Sequence, residues 1–160
     1  MHAPAQDPTG LYRQIVLDHS RHPRNHRRPE RYDQEAEGHN PLCGDKVRVY
    51  LRLSADTVQD VAFEASGCAI CLASASLMTE MVHSRPVREA RVAIDQFDKA
   101  LSMNKGEGLA GDLAALAGVS QYPSRIRCAT LPWKTLRAAL DSAPGSAPGT
   151  ISTEQMSTSQ

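Results

Sequence analysis

The sequence predicts a single α+β domain in which a small antiparallel sheet carries helices packed on one side. Three observations point there. Two neighbouring segments alternate apolar and polar residues with a period of two. Two long segments without that alternation follow them, one free of helix breakers and one with a helical apolar stripe. The chain has 160 residues, 41% of them hydrophobic, which suits one core.

Residues 1–10 are polar and contain proline, so they are expected to be disordered. A helix is expected from Leu11, with Leu11 and Ile15 one turn apart and Thr9 as a cap; Pro23 ends it near Arg21. Residues 23–40 then read as a long polar connection rich in Arg and His. In residues 46–53, Val47, Val49, Leu51 and Leu53 face one way and Lys46, Arg48, Tyr50 and Arg52 the other, which describes a strand with one wet face. Residues 54–57 read as a turn. Residues 58–65 alternate again, with Val61, Phe63 and Ala65 on one face, and complete an antiparallel hairpin.

Residues 69–83 are rich in Ala, Leu and Met, predicting a buried helix whose Ala73-Ser74-Ala75-Ser76 run lets another backbone approach closely. Pro86 stops it. Residues 87–102 form an amphipathic helix with Val87, Ala90, Ile94, Phe97 and Leu101 on its apolar stripe. A turn at 104–108 leads to a short helix at 109–116, ended by Gly118. A last helix runs from Pro123 to about Leu140, with Ile126, Leu131, Leu136 and Leu140 inward and Pro132 marking a kink or a late start. Residues 142–160 are mainly Ser, Pro, Gly and Thr and read as a disordered tail, so the domain is expected to span 11–141. There is no internal repeat.

Lysines and arginines number 18, as do aspartates and glutamates, so the chain lacks the basic excess of a general nucleic-acid binder. No stretch approaches the roughly 20 apolar residues of a membrane span, and no signal-peptide core opens the chain. The expectation is a cytoplasmic protein without nucleic-acid or membrane partners. In a reducing compartment the four cysteines are expected as metal ligands or reactive thiols rather than disulfides.

Cys43 stands just before the first strand, Cys68 between the second strand and a helix, and Cys128 near the start of the last helix. Two helix N-termini and the nearby Arg125 and Arg127 would lower thiol pKa values there. Asp45 lies two residues from Cys43, so both side chains can point to one side of an extended segment. Three thiolates and a carboxylate can surround tetrahedral zinc, with Zn–S near ~2.3 Å. By residue type alone, each cysteine reads equally well as a small buried hydrophobe, and Asp45 as a turn or capping residue. Cys68 and Cys71 make a CxxC, which reads as a redox pair, as one arm of a zinc site, or as Cys71 packing beside the site.

Four stretches, taken in order, resemble one family. They are Leu11-Tyr12-Arg13-Gln14 continuing to Asp18-His19 and Pro23-Arg24-Asn25; Asn40-Pro41-Leu42-Cys43-Gly44-Asp45; Gly67-Cys68-Ala69-Ile70 with Ala73-Ser74-Ala75-Ser76-Leu77-Met78-Thr79; and Arg125-Ile126-Arg127-Cys128-Ala129-Thr130-Leu131 with Trp133. They resemble the SufU branch of the iron–sulfur assembly proteins related to IscU and NifU, over most of residues 11–140. Residues 86–118 resemble the insertion typical of SufU, and Arg127 stands where IscU-type proteins carry a histidine ligand. The chain departs from the pattern at Cys71, where serine is common, and at Pro132.

The resemblance implies a SufE/IscU-like fold and zinc held by Cys43, Asp45, Cys68 and Cys128. It implies a zinc-dependent sulfurtransferase whose Cys43 accepts persulfide sulfur from a SufS-type cysteine desulfurase, a histidine of which takes the place of Cys43 on the zinc. Sulfur would pass on to a downstream acceptor or a SufB-type scaffold. The alternative is an IscU-like scaffold with an iron–sulfur cluster on the same ligands. A third reading is a structural zinc domain with inert cysteines. The basic stretch Arg21, His22, Arg24, His26, Arg27, Arg28 and Arg31 reads as a solvated loop, or as a docking strip for an acidic partner surface. His19 and His39 read as structural or surface residues ahead of neighbours of the site.

Overall fold

A computed structural model describes residues 8–143 and 149–152. In chain order they form α1 (Pro8–Arg21), β1 (Gln34–Asn40), β2 (Asp45–Ser54), β3 (Thr57–Ser66), α2 (Ala69–Val82), α3 (Val87–Ser102), a 3-10 segment (Gly111–Gln121), α4 (Pro123–Asp141) and β4 (Gly149–Ser152). The strands lie in the order β3-β2-β1-β4. β1, β2 and β3 are antiparallel neighbours, with Val47 opposite Ala65, Val49 opposite Phe63 and Leu51 opposite Val61. β4 runs parallel to β1, so the sheet is mixed rather than purely antiparallel. The helices lie alongside it, and Val47, Val49, Leu51, Val61 and Phe63 share one buried cluster with Met78, Ile94, Phe97, Leu131, Trp133 and Leu136.

The hairpin, the three long helices after it and their order follow the sequence expectations closely. β1 does not: it lies inside the stretch read as a polar connection. Its inward residues are Gln34, Ala36, Gly38 and Asn40, all buried, so the apolar alternation that marks a strand is missing. The reason is the nearness of α4. A Cβ at Gly38 would stand 2.0 Å from Thr135 Oγ1 and 3.0 Å from Leu131 Cδ1. Gln34 spends its amide on the end of α4, donating to the carbonyls of Ala139 at 2.9 Å and Leu140 at 3.2 Å. Only small or hydrogen-bonding residues fit beneath that helix.

β4 corrects the expected tail. Residues 149–152 pair with Ala36–His39, and the remainder of the expected tail beyond Ala143 lies outside the described residues. At the other end, α1 already begins at Pro8, a residue the first turn of a helix tolerates because its missing N–H has no partner there. Residues 1–7 lie outside the described residues. The short helix expected at 109–116 is a 3-10 segment that runs through Gly118 to Gln121. α4 runs unbroken across Pro132.

The outer sheet face is drier than predicted. Tyr50 is 1% exposed. Residues of the preceding connection cover it: the Tyr32 ring lies 4.8 Å from it, and the Arg28 guanidinium 6.0 Å from its centroid. The edge of β3 is closed by backbone hydrogen bonds from both sides. Arg27 N–H donates to Phe63 O at 2.8 Å, and Ser84 N–H to Val58 O at 2.8 Å. Among the described residues, no helix is long and apolar enough to cross a membrane.

Candidate metal centre

The β1–β2 turn builds the first half of the site. Asn40 and Asp45 face each other as the last pair of the ladder. Between them the Gly44 N–H donates to Asn40 O at 2.8 Å, which turns the chain back and leaves Cys43 exposed at the tip. Asp45 shares the inward face of Val47 and Val49 and is 0% exposed. The second half comes from α4. Cys128, Leu131 and Thr135 lie on the helix face turned to β1, and the missing side chain at Gly38 lets that face descend onto the sheet. Ser74 on α2 then ties α4 in place. Its hydroxyl donates to Ala129 O at 2.5 Å and accepts from Trp133 Nε1 at 3.0 Å.

The result is a cluster in which one sulfur of Cys43, one carboxylate oxygen of Asp45 and the sulfur of Cys128 lie within 4.8 Å of one another. Cys43 is exposed and the other two are buried. The sulfur of Cys68 stands beside this triangle rather than within it. Its residue caps α2, where its Sγ accepts the Cys71 N–H at 3.5 Å, while its own N–H donates to Asp45 Oδ1 at 2.9 Å. Gly67 makes that contact possible: a Cβ there would lie 2.3 Å from Asp45 Oδ1.

Asp45 is the telling residue. It is a buried carboxylate that accepts from the Cys68 N–H and from the Asn40 amide, the latter at 3.4 Å, with the Cys128 thiol also bonded to it, and no Lys, Arg or His forms a salt bridge with it among the described residues. A buried negative charge of this kind is costly unless a cation meets it. Three thiols beside it supply soft donors, and sulfur with oxygen is a set that zinc accepts. The residues present fit a zinc ion.

One electrostatic expectation is corrected. Cys128 lies in the second turn of α4, beyond the reach of the helix N-terminus. The Cys128 thiol is pushed well up, first by burial and then by Asp45, Cys43 and Cys68 around it. Burial likewise pushes up Cys71. A cation bound beside Cys128 would have to displace the proton of its thiol.

The two histidines are not neighbours of the cluster. His19 is buried against α2, its Nδ1 2.7 Å from Ser76 Oγ. His39 sits between inward-facing Gly38 and Asn40 in β1 and so points to the outer face. Two residues of the basic stretch are paired with carboxylates: Arg24 with Asp18 at 2.6 Å, and Arg27 with both oxygens of Asp60 at 2.9 and 3.0 Å. Sequence reasoning assigned no role to Asn40. Its amide reaches Asp45 at 3.4 Å and Cys128 Sγ at 3.6 Å, orienting two candidate donors at once. An Asn-Pro turn signal one residue short of a cysteine was the available clue.

Comparison with known proteins places the chain in a family. The NifU-like N terminal domain profile matches residues 11–129. The zinc-dependent sulfurtransferase SufU of Bacillus subtilis is 38% identical over 128 residues, covering 79% of this chain and 86% of that protein. The iron–sulfur cluster assembly scaffold protein IscU of Streptococcus pyogenes is 34% identical over 132 residues, covering 81% and 82%. A solved structure from Fervidobacterium islandicum AW-1, assigned as an iron–sulfur cluster assembly scaffold for the SUF system, superposes with a TM-score of 0.74 at 33% identity, covering 80% of this chain and 95% of that one. The chain belongs to the NifU-like N-terminal domain family, the iron–sulfur cluster assembly proteins of the IscU and SufU kind.

Proposed function

We propose that this chain is a zinc-dependent sulfurtransferase of cytoplasmic iron–sulfur cluster assembly, and that Cys43 is its sulfur acceptor. The observation that carries the reading is the split character of the cluster: an exposed Cys43 thiol at the rim of a buried carboxylate–thiol floor. Cys43, Asp45, Cys68 and Cys128 would hold the zinc, with Cys68 turning from its cap position to complete the set. Zinc, when bound, supplies a positive charge that keeps the thiols ionised at neutral pH and balances Asp45.

The other roles belong to the chain. The β1–β2 turn presents Cys43 outward, where a protein persulfide can reach it. Its sulfur attacks the terminal sulfur of the donor persulfide. A new sulfur–sulfur bond forms on Cys43, the donor's own bond breaks, and the donor cysteine leaves as a thiolate. A SufS-type cysteine desulfurase is the proposed donor. A downstream thiol acceptor, or a SufB-type scaffold, takes the sulfur by the same exchange in reverse. Asp45 and Cys128 stay buried throughout and keep the site assembled while Cys43 is engaged.

The test combines metal analysis of the untreated protein with a desulfurase turnover assay and intact-mass measurement. Stoichiometric zinc, raised desulfurase turnover and a mass gain of one sulfur atom are expected, with the last two lost in Cys43→Ala. Full activation retained by Cys43→Ala would remove the acceptor role. A coloured protein after anaerobic reconstitution, passing its cluster to an apo-acceptor, would support the scaffold function carried in the name of the streptococcal relative.

A further inference from the structure

Cys71 is the cysteine that the metal centre leaves without a task. It is 0% exposed, on the core side of α2, and it is the third helical residue after the capping Cys68. The contact between them is direct: the Cys71 N–H donates to Cys68 Sγ at 3.5 Å. A cap side chain turns in toward the backbone of the third residue after it, which sets the Cys68 sulfur over the first turn that carries Cys71. A disulfide needs Cβ atoms about 3.5–4.5 Å apart, closer than the about 5–6 Å of residues three apart within a helix, so closure draws the extended cap residue Cys68 in toward the first turn. Cys68 is half-buried and reachable from solvent, and its sulfur lies outside the tight Cys43–Asp45–Cys128 group. One sulfur therefore stands between two destinations, the metal donors on one side and Cys71 on the other.

We propose that Cys68 and Cys71 form a redox dithiol which a hydroperoxide closes to a disulfide, withdrawing Cys68 from the metal centre. The closure itself stands on the helix geometry; the withdrawal rests on the zinc reading above. In the first step the Cys68 sulfur attacks a peroxide oxygen. The oxygen–oxygen bond breaks, Cys68 becomes a sulfenic acid, and the thiol proton leaves with the other oxygen as water. In the second, the Cys71 sulfur attacks the Cys68 sulfur. The sulfur–sulfur bond forms, the sulfur–oxygen bond breaks, and the departing hydroxide takes the Cys71 proton as a second water. The two thiols lose two electrons and two protons, and hydrogen peroxide takes up both. Burial of Cys71 keeps it from direct oxidation, so it acts as the resolving partner and spares Cys68 irreversible oxidation. A thiol reductant reopens the pair.

Trypsin makes the outcome legible, because Arg85 precedes a proline and residues 53–88 stay in one peptide with both cysteines, while Cys43 and Cys128 fall in residues 32–46 and 128–134. The full-length protein is treated with hydrogen peroxide, alkylated, digested and mapped, while a chromophoric chelator follows zinc. The expected result is peptide 53–88 lighter by two hydrogens and not alkylated, with zinc released in step and both changes reversed by dithiothreitol. Cys71→Ser and Cys71→Ala should carry zinc like the parent before treatment. After it, they should show sulfinic acid at Cys68 and zinc loss that dithiothreitol does not restore. Peptide 53–88 found only cross-linked to 32–46 or 128–134, or found open after zinc is lost, overturns the proposal; so does zinc loss equally reversible in both variants. If neither variant folds, the parent map still decides. Protein that never held zinc defeats the metal reading instead, and the peptide map then judges the dithiol alone.

Discussion

Two buried polar clusters sit on α2, and they are built differently. Near its middle, Ser76 Oγ contacts His19 Nδ1 at 2.7 Å and accepts the Arg24 N–H at 2.8 Å, while Thr79 Oγ1 donates to Ser76 O at 2.8 Å and accepts from Asn25 Nδ2 at 3.0 Å. The contacts are short and the groups at the centre uncharged. At the N-terminus of the same helix, Asp45 and Cys128 share one amide, Asn40 Nδ2, at 3.4 and 3.6 Å. There a carboxylate is buried with no cationic side chain in salt-bridge contact among the described residues. The first cluster satisfies itself and pins α1 to α2. The second is left short of positive charge, which is what a cation site needs before the cation arrives.

The sharpest way to break this contrast is Asp45→Ala. It removes the buried charge and the acceptor of the Cys68 N–H together, and zinc retained through purification should fall to background. Full zinc content by metal analysis would mean the cluster does not depend on its carboxylate. Gly67→Ala tests geometry without touching a donor. The added Cβ falls 2.3 Å from Asp45 Oδ1 and 2.9 Å from its Cγ, so the carboxylate must move. Zinc affinity should drop by roughly 10–100-fold, the size seen when a ligand's support is disturbed, as read by chelator competition.

Ser76→Ala addresses the other cluster. It strands a buried His19 nitrogen and the Arg24 N–H, and should cost about 1–3 kcal/mol in urea unfolding while leaving zinc affinity unchanged. A shift in zinc affinity would show that the clusters are coupled along α2. The smallest effect concerns pH. Burial, then the charge of Arg24, lowers the His19 pKa from its ordinary 6.5, against the opposing pull of Glu80, Asp18 and Asp112. The unfolded chain thus takes up the proton first as pH falls. This contribution to stability is complete above pH 6.5 and is lost progressively below it. Urea midpoints of chelator-treated protein should therefore decline below that pH, and less so in His19→Gln.

Much of the fold was legible because its central parts obey simple periods. Val47, Val49 and Leu51 alternate against one core, and the Ala-Ser run of α2 is small where α4 crosses. β1 was hidden because its inner face is Gln, Ala, Gly and Asn, chosen for closeness to α4 rather than for oiliness. β4 was hidden because four residues in a Ser- and Gly-rich stretch carry no pattern of their own; their pairing depends on a β1 edge that local sequence does not show. In the site, Cys43 and Asp45 were readable as a pair from their spacing, whereas the part played by Asn40 and Gly67 was not.

By itself, the sequence determined which residue types were available: soft sulfur donors and one carboxylate, spread over three element ends, in an order that resembles one family. Only the tertiary structure decided which of them meet. Donor chemistry is a property of each side chain and survives in a list, but coordination is a matter of ångströms between segments that lie far apart along the chain. Those distances are set by how closely α4 settles onto β1 over Gly38 and how tightly the start of α2 closes on Asp45 over Gly67. That is why the structure gathers Cys43, Asp45 and Cys128, and leaves Cys68 between the cluster and Cys71.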